Sequence, residues 1–421
     1  MSAQQRLSAL QANHPLPVID PTRLGEVLEE LHLPVQALDT VSLDRVKQLY
    51  DGLRPGLHPA LQASVDRGQI VIGEVGLPSP CAYIERLSVD QSLIVMHSGL
   101  FEFLYRIARP LSATVFRVEG DADKVGIERA ELARIVCEIF WWQLETDGHL
   151  GPGYPITPEQ KRFANLLAHS AESFLLAHEF GHALVALNGD MGMDGLPITA
   201  AQEEALADRL GLHMYLTART ANVVNPEPLL LSLHFAGAEL ALQVWDVMSK
   251  LKMPFVDGVH PPARARIKGL RAMLREFVES DEILDELLRL PKLLEETFDE
   301  VTRIVDAGGG EHTTVFDQQG KELVLAIHAS LDKCAAETIP DYVTFYSEAV
   351  DFMNQGYAHQ VLSDVFNKVA AEFAVLRAQL GHFGAGDLLK FNRFKLLIGL
   401  SDQLPEPAKS LFSASLARVA N

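Results

Sequence analysis

The sequence predicts an α+β protein, predominantly α-helical, with a small β-sheet beside two long helices. Three observations predict it. Gln69-Ile-Val-Ile-Gly-Glu-Val75, Cys81-Ala-Tyr-Ile-Glu-Arg-Leu87 and Ser92-Leu-Ile-Val-Met96 are short β-prone runs separated by turn residues. Residues 163–177, free of Gly and Pro, and a second stretch from about Ala200 to Thr217 repeat their apolar positions at helical spacing. A hydrophobic fraction of 48% with only 7% aromatic residues is usual for a helix-rich soluble protein.

Taken in order, residues 1–66 read as a helical lead-in, with short helices punctuated by Pro and Gly at Asp20-Pro21 and Leu53-Arg-Pro-Gly-Leu57. The three strands follow. Ser98 then caps a helix that opens directly after the third strand. A helix near Glu128–Thr146 carries Cys137 and the pair Trp141-Trp142, which read as core on an apolar run. Residues 148–157 are a Gly/Pro-rich connector, in which His149 is not needed as a ligand. The first long helix ends at Gly189-Asp190. After the second come an apolar helix around Pro226–Leu251, the segment Val259-His-Pro-Pro-Ala-Arg-Ala-Arg-Ile267, and further helices to about Asp306. Residues 67–306 therefore form one domain. Ala307-Gly-Gly-Gly310 is a linker and not a phosphate loop, since no Gly-Lys-Ser/Thr follows. Residues 311–421 read as a helical C-terminal region without repeats, whose role the sequence does not disclose.

The chemistry concentrates in the two long helices. The first holds His178-Glu179-Phe180-Gly181-His182. Positions i and i+4 share a helix face, so both imidazoles can address one ion. Zinc suits histidine and carboxylate ligands, and its catalytic sites keep three protein ligands and one open position. Glu179 stands where a carboxylate can take a proton from attacking water. The second helix holds Glu204 and Asp208 one turn apart. Glu204 is the natural third ligand, and Asp208 can accept the other ring N–H of a ligand histidine. Val185 and Asn188 stand where a metzincin needs Gly and His, which excludes that class.

Other classes are disfavoured by composition. A net charge of −20 over 421 residues opposes attraction to nucleic acid or anionic lipid, and the richest basic run is only Arg264, Arg266, Lys268 and Arg271. No apolar run reaches the ~18 residues of a membrane span, and the N-terminus lacks a signal-peptide plan. A soluble, cytoplasmic protein is expected. The three cysteines, Cys81, Cys137 and Cys334, lie far apart in apolar contexts and read as reduced core thiols.

The order of these motifs resembles the gluzincin peptidases typified by the HtpX heat-shock protease and the CAAX prenyl-protein protease. Four segments carry the resemblance: Ser92–Phe101, the His178–His182 motif, Glu204-Ala-Leu-Ala-Asp-Arg-Leu-Gly211 and His260-Pro-Pro-Ala-Arg-Ala-Arg266. It covers roughly residues 69–272 and implies a gluzincin-type core. It further implies that His260 and Arg266 lie on the substrate side of the zinc, holding the peptide or its developing oxyanion; otherwise the prolines begin a helix and Arg266 pairs with Asp208 or Glu203. Two departures stand out. Cys81-Ala82 occupies the place of the family's Asn-Ala edge strand, and spanning helices are lacking. A soluble relative is implied, with a weaker similarity to the phage-exclusion Lit peptidase group.

The expected function is that of a soluble zinc metallo-endopeptidase acting on a protein or peptide substrate. His178, His182 and Glu204 would bind zinc, Glu179 would move the proton, His260 and Arg266 would assist, and Asp208 would support a ligand histidine. Substrate backbone would add to the edge strand near Cys81–Leu87 with little side-chain selectivity. The alternative is a latent or regulatory zinc-site protein acting by partner binding through residues 311–421. A hydrolase of non-peptide amides is a third possibility. Substrate, cleavage site, oligomeric state and trigger are not encoded legibly.

Overall fold

Residues 3–13 form helix α1 (Ala3–Asn13), opened by a reciprocal capping box in which Ser2 Oγ accepts from the Gln5 N–H and the Gln5 side chain accepts from the Ser2 N–H. In this computed structural model the described residues are 1–16, 45–88, 90–115, 129–146, 158–189, 197–221, 227–253, 261–278 and 280–307. The segments 148–157, 308–310 and 311–421, with His149, His260 and Cys334, lie outside them, as does the side chain of Trp142.

Helix α2 (Arg45–Leu53), a 3-10 turn at Arg54–Gly56 and α3 (Pro59–Asp66) lead into the sheet. Its strands are β1 (Ile70–Val75), β2 (Ala82–Ser88) and β3 (Gln91–His97), in the order β1-β3-β2. β1 runs parallel to β3 and β2 antiparallel to it, so that Ile72 and Ile84 both flank Ile94. Side chains alternate across a strand. The odd-numbered set Val71, Val75, Tyr83, Leu87, Leu93 and Val95 therefore shares one face, where it packs with Ala3, Leu7 and Leu10 of α1. Gly73 is needed there, because a Cβ at that position would meet the Leu7 side chain at 2.5 Å. The even-numbered set, including Ala82, Ile84, Arg86 and Met96, turns to the opposite face.

Helix α4 (Ser98–Val115) follows β3 without a loop. Ser98 is its first residue rather than a cap, and its hydroxyl donates to the Leu77 carbonyl at 3.1 Å. The strand passes straight into the helix, and the serine ties that junction to the loop between β1 and β2. Helix α5 (Arg129–Thr146) buries Cys137 completely, its thiol donating to the Val301 carbonyl, while Cys81 is partly exposed. The long helix α6 (Pro158–Leu187) spans 30 residues and ends before Gly189, whose φ of +73° is the left-handed conformation that glycine supplies at a helix C-terminus. Helix α7 (Ala200–Thr220) opens on a second capping box, between Thr199 and Gln202. Helix α8 (Pro228–Lys250) is buried along most of its length. Helices α9 (Ala263–Phe277), α10 (Asp281–Leu287) and α11 (Arg289–Asp306) complete the described chain.

The basic run of α9 resolves into internal ion pairs. Arg266 forks onto Asp208 of α7 through Nε and Nη2, both at 2.7 Å, and Arg271 forks onto the fully buried Glu239 of α8 at 2.6 and 2.7 Å. Arg264 pairs with Asp299 of α11. One helix is thereby pinned to three others by bidentate or short charge contacts.

The chain divides into two packed units, one of residues 1–16, 44–140 and 162–310, the other of 17–43, 141–161 and 311–421. The lead-in helices α1, α2 and α3 belong to the first and pack on the sheet. Of the second, only 141–146 and 158–161 are described. Among the described residues no helix is long and apolar enough to cross a membrane.

Candidate metal centre

The site is assembled where α6 crosses α7, and two glycines permit the crossing. A Cβ on Gly181 would lie 2.6 Å from the Ala207 carbonyl oxygen, and one on Gly211 would lie 2.9 Å from both Cα and N of His178. The backbones touch, and Glu204 and Asp208 of α7 are brought against the imidazoles of α6. Glycine in a helix interior costs roughly 1 kcal/mol relative to alanine, and here that cost is offset by contact no other residue allows.

His178, His182 and Glu204 each offer a ligand atom, and these atoms all lie within 4.8 Å of one another. The two Nε2 atoms are 3.1 Å apart, with ring planes at 88°. Glu204 completes the group, Oε1 lying 3.3 Å from His182 Nε2 and Oε2 3.6 Å from His178 Nε2. All three are buried or nearly so.

The other nitrogen of each ring faces a carboxylate. His182 Nδ1 lies 2.9 Å from Glu203 Oε1. His178 Nδ1 lies 3.0 Å from Asp208 Oδ1, within charge contact though poorly aligned for a hydrogen bond. An ionised carboxylate only accepts, so both protons belong on Nδ1 and both Nε2 atoms present lone pairs. Two lone pairs 3.1 Å apart beside a carboxylate repel unless a cation or a proton lies among them. This donor set fits a divalent metal ion, with second partners that fix both tautomers.

The electrostatics agree. Burial disfavours a charged His182, but the carboxylates of Glu204, Glu179 and Glu203 outweigh it and raise the imidazole to about 9. Burial likewise opposes ionisation of Asp208, yet the fork from Arg266 and the His178 imidazole hold its carboxyl below the usual range. Arg266 is held charged by the same pair, against its own burial.

A cavity of about 280 Å³ opens onto this group. Glu179, His178, His182, Glu204 and Arg266 share its wall with Cys81–Ile84 of the outer strand, and the remainder is apolar, including Leu104, Leu242, Trp245 and Met248. Glu179 thus faces the space that the two histidines and Glu204 address. No family model, curated protein or solved structure matches this chain significantly.

Of the residues picked out from the sequence, the structure brings together His178, Glu179, His182, Glu204, Asp208 and Arg266. Arg266 reaches the cavity wall with its Nε and Nη2 engaged by Asp208, and Nη2 stands 3.6 Å from Glu204 Oε2. His260 lies outside the described residues. One residue escaped the sequence reading in this role: Glu203, considered only as a partner for Arg266, is instead the partner of His182. Its position next to Glu204, on the helix turn facing α6, was the available signal.

A buried hydroxyl–imidazole cluster ties the supporting helices together. His234 Nδ1 of α8 lies 2.9 Å from Tyr215 Oη of α7 and 3.1 Å from Ser170 Oγ of α6. Burial and the nearby Arg219 push His234 down to about 4, so it stays neutral and can accept.

Proposed function

We propose that the chain is a zinc-dependent metallo-endopeptidase of the gluzincin type. The observation that carries this reading is the placement of Glu179 in one cavity with the convergent His178, His182 and Glu204. Those three residues would hold the metal, with Asp208 and Glu203 orienting the imidazoles. Zinc, when bound, supplies a Lewis acid that lowers the pKa of water towards ~7 and polarises a carbonyl.

The chain's own residues supply the rest. Glu179 accepts a proton from the attacking water on its carboxylate and returns it to the leaving amine nitrogen. Arg266 holds Asp208 ionised, and its Nη2 stands 3.6 Å from Glu204 Oε2, beside the proposed ligand. Substrate backbone runs beside Cys81–Ile84, since β2 is an edge strand of the sheet and those residues line the cavity. The apolar wall of Leu104, Leu242, Trp245 and Met248 favours a large apolar side chain next to the cleaved bond, which adds selectivity to backbone binding.

The test is zinc content together with whole-lysate cleavage for wild type and Glu179→Gln prepared identically. Bound zinc in both, with new termini only in the wild-type digest and apolar residues enriched beside the cut, is the expected outcome. Equal cleavage by Glu179→Gln would refute the assigned proton transfer.

A further inference from the structure

The outer strand and a metal ligand are joined by a chain of charge contacts. Arg86 of β2 donates through Nη2 to Glu203 Oε1 at 2.6 Å, and that same oxygen lies 2.9 Å from His182 Nδ1. Three features of the fold aim Arg86 there. By strand alternation it shares a face with Ala82 and Ile84, both of which line the metal-side cavity. The β2–β3 register shifts between Arg86 and Ser88, and such a bulge bends a strand and redirects its side chains. Glu203, in the first turn of the capped helix α7, is held beside the strand end by the helix that also carries Glu204.

A carboxylate shared by an arginine and a histidine is fixed in direction at both ends. Alone, Glu203 could rotate between solvent and the ring, because its side chain is about one quarter exposed (24%). With the guanidinium in place, the oxygen facing His182 Nδ1 is held, and so are the tautomer and plane of that ring.

We propose that Arg86 is a positioning residue for the metal centre: through Glu203 it sets the orientation of His182, and so makes the metal site sensitive to the position of strand β2. The inference rests on the metal reading above, but not on peptidase activity. It also gives the strand beside which substrate would lie a direct mechanical connection to a ligand.

The experiment uses the full chain and two metals, zinc for affinity and cobalt(II) as a spectroscopic probe. Arg86→Gln, Arg86→Lys, Glu203→Gln, the double variant Arg86→Gln/Glu203→Gln and the control Arg54→Ala are compared with wild type. Arg54 pairs with Asp66 on the surface, so the control removes an exposed ion pair of similar kind. Zinc affinity is read by chelator competition, and ligand geometry by the visible absorption of the cobalt-loaded protein.

Arg86→Gln is expected to weaken zinc binding by roughly 3- to 10-fold, less than the ~10- to 100-fold typical when a ligand's immediate partner is lost. The cobalt bands should shift with it. Arg86→Lys should restore part of the affinity, since it returns the charge without the fork, and Arg54→Ala should leave both readouts unchanged. The double variant should be no worse than Glu203→Gln, because the two residues act in series. Wild-type affinity and spectrum in Arg86→Gln would overturn the proposal, as would fully additive losses in the double variant. Wild-type protein that binds neither metal would remove the metal reading first and this inference with it. Metal binding with no cleavage would leave this inference standing and defeat only the peptidase assignment.

Discussion

At the scale of single residues, the proposed function separates the residues that would bind metal from those that would hold them in place. Glu204→Ala removes one of the three proposed ligands, so zinc and any turnover should be lost together, while Glu179→Gln should keep the metal and lose turnover. Asp208 meets both Arg266 and His178, and it is almost fully buried. Asp208→Asn keeps the size but loses the charge, and should weaken zinc binding by ~10- to 100-fold. It also leaves the Arg266 guanidinium without its anion, so the melting temperature should drop as well. Unchanged chelator competition in Asp208→Asn would remove that residue from the support of His178. The triad was legible in the sequence because helical geometry makes His178 and His182 neighbours and places Glu204 and Asp208 on one face of a following helix. The sequence left the partner of Arg266 between Asp208 and Glu203, and the structure takes Asp208: a guanidinium's choice among several carboxylates depends on how α9 lies across α7, which spacing along the chain does not encode.

At the scale of elements, the contact between α6 and α7 decides whether a site exists. Gly181 and Gly211 bring the helix backbones together, and any side chain there must drive them apart. Gly211→Ala should destabilise the fold by ~1–3 kcal/mol, the usual cost of overpacking. It should weaken metal binding too, since its Cβ would press on the backbone of His178 itself. Gly269 of α9 provides the contrast, because nothing lies within 4 Å of a Cβ built there. Gly269→Ala should stabilise by up to ~1 kcal/mol from helix propensity, with metal affinity unchanged. Denaturant unfolding and chelator competition on the two variants would separate these outcomes. Opposite signs are expected, and equal effects would show that the crossing is not sterically limited. Helices and strands themselves were readable from periodicity, since each pattern is local to its own segment. The close crossing was only hinted at, by glycines inside strongly helical stretches. The role of Ser98 was misread because a serine before an apolar run looks alike whether it caps a helix or bonds to a loop far back in the chain.

At the scale of the whole molecule, the proposed metal ion would compete with protons for one cluster. Without metal, His182 titrates at about 9, above its ordinary value of 6.5. A group whose folded pKa is raised contributes stability that is fully present below about pH 6.5 and fades as the pH rises through about 9. The metal-free protein should therefore lose part of its thermal stability between those limits. Metal binding responds in the opposite sense, because acid protonates the ligands. Melting with zinc and with chelator at about pH 6, 7.5 and 9 should show the gap between the two curves widening with pH. A gap that narrows would contradict the shared proton and metal position. The lead-in shows what the local pattern leaves out: residues 1–66 read as short helices punctuated by Pro and Gly, and within them Ala3 and Leu7 are buried against Val75, Leu93 and Val95 of the sheet. That long-range burial leaves no trace in the local pattern.

The packing of α1 has a consequence for how the chain is made. An isolated helix shorter than ~12–15 residues is barely stable in water, and α1 has 11 residues, tied down by Ala3 N–H to Gln91, Arg6 to Glu85 and Gln11 to the Glu74 carbonyl. All of those partners are synthesised later. At roughly 5–20 residues per second of translation, the first helix waits on the order of seconds before the strands that shelter it leave the ribosome. During that interval Leu7 and Leu10 are bare, and the three-stranded sheet, once formed, has one apolar face that a helix made well before it comes back to cover.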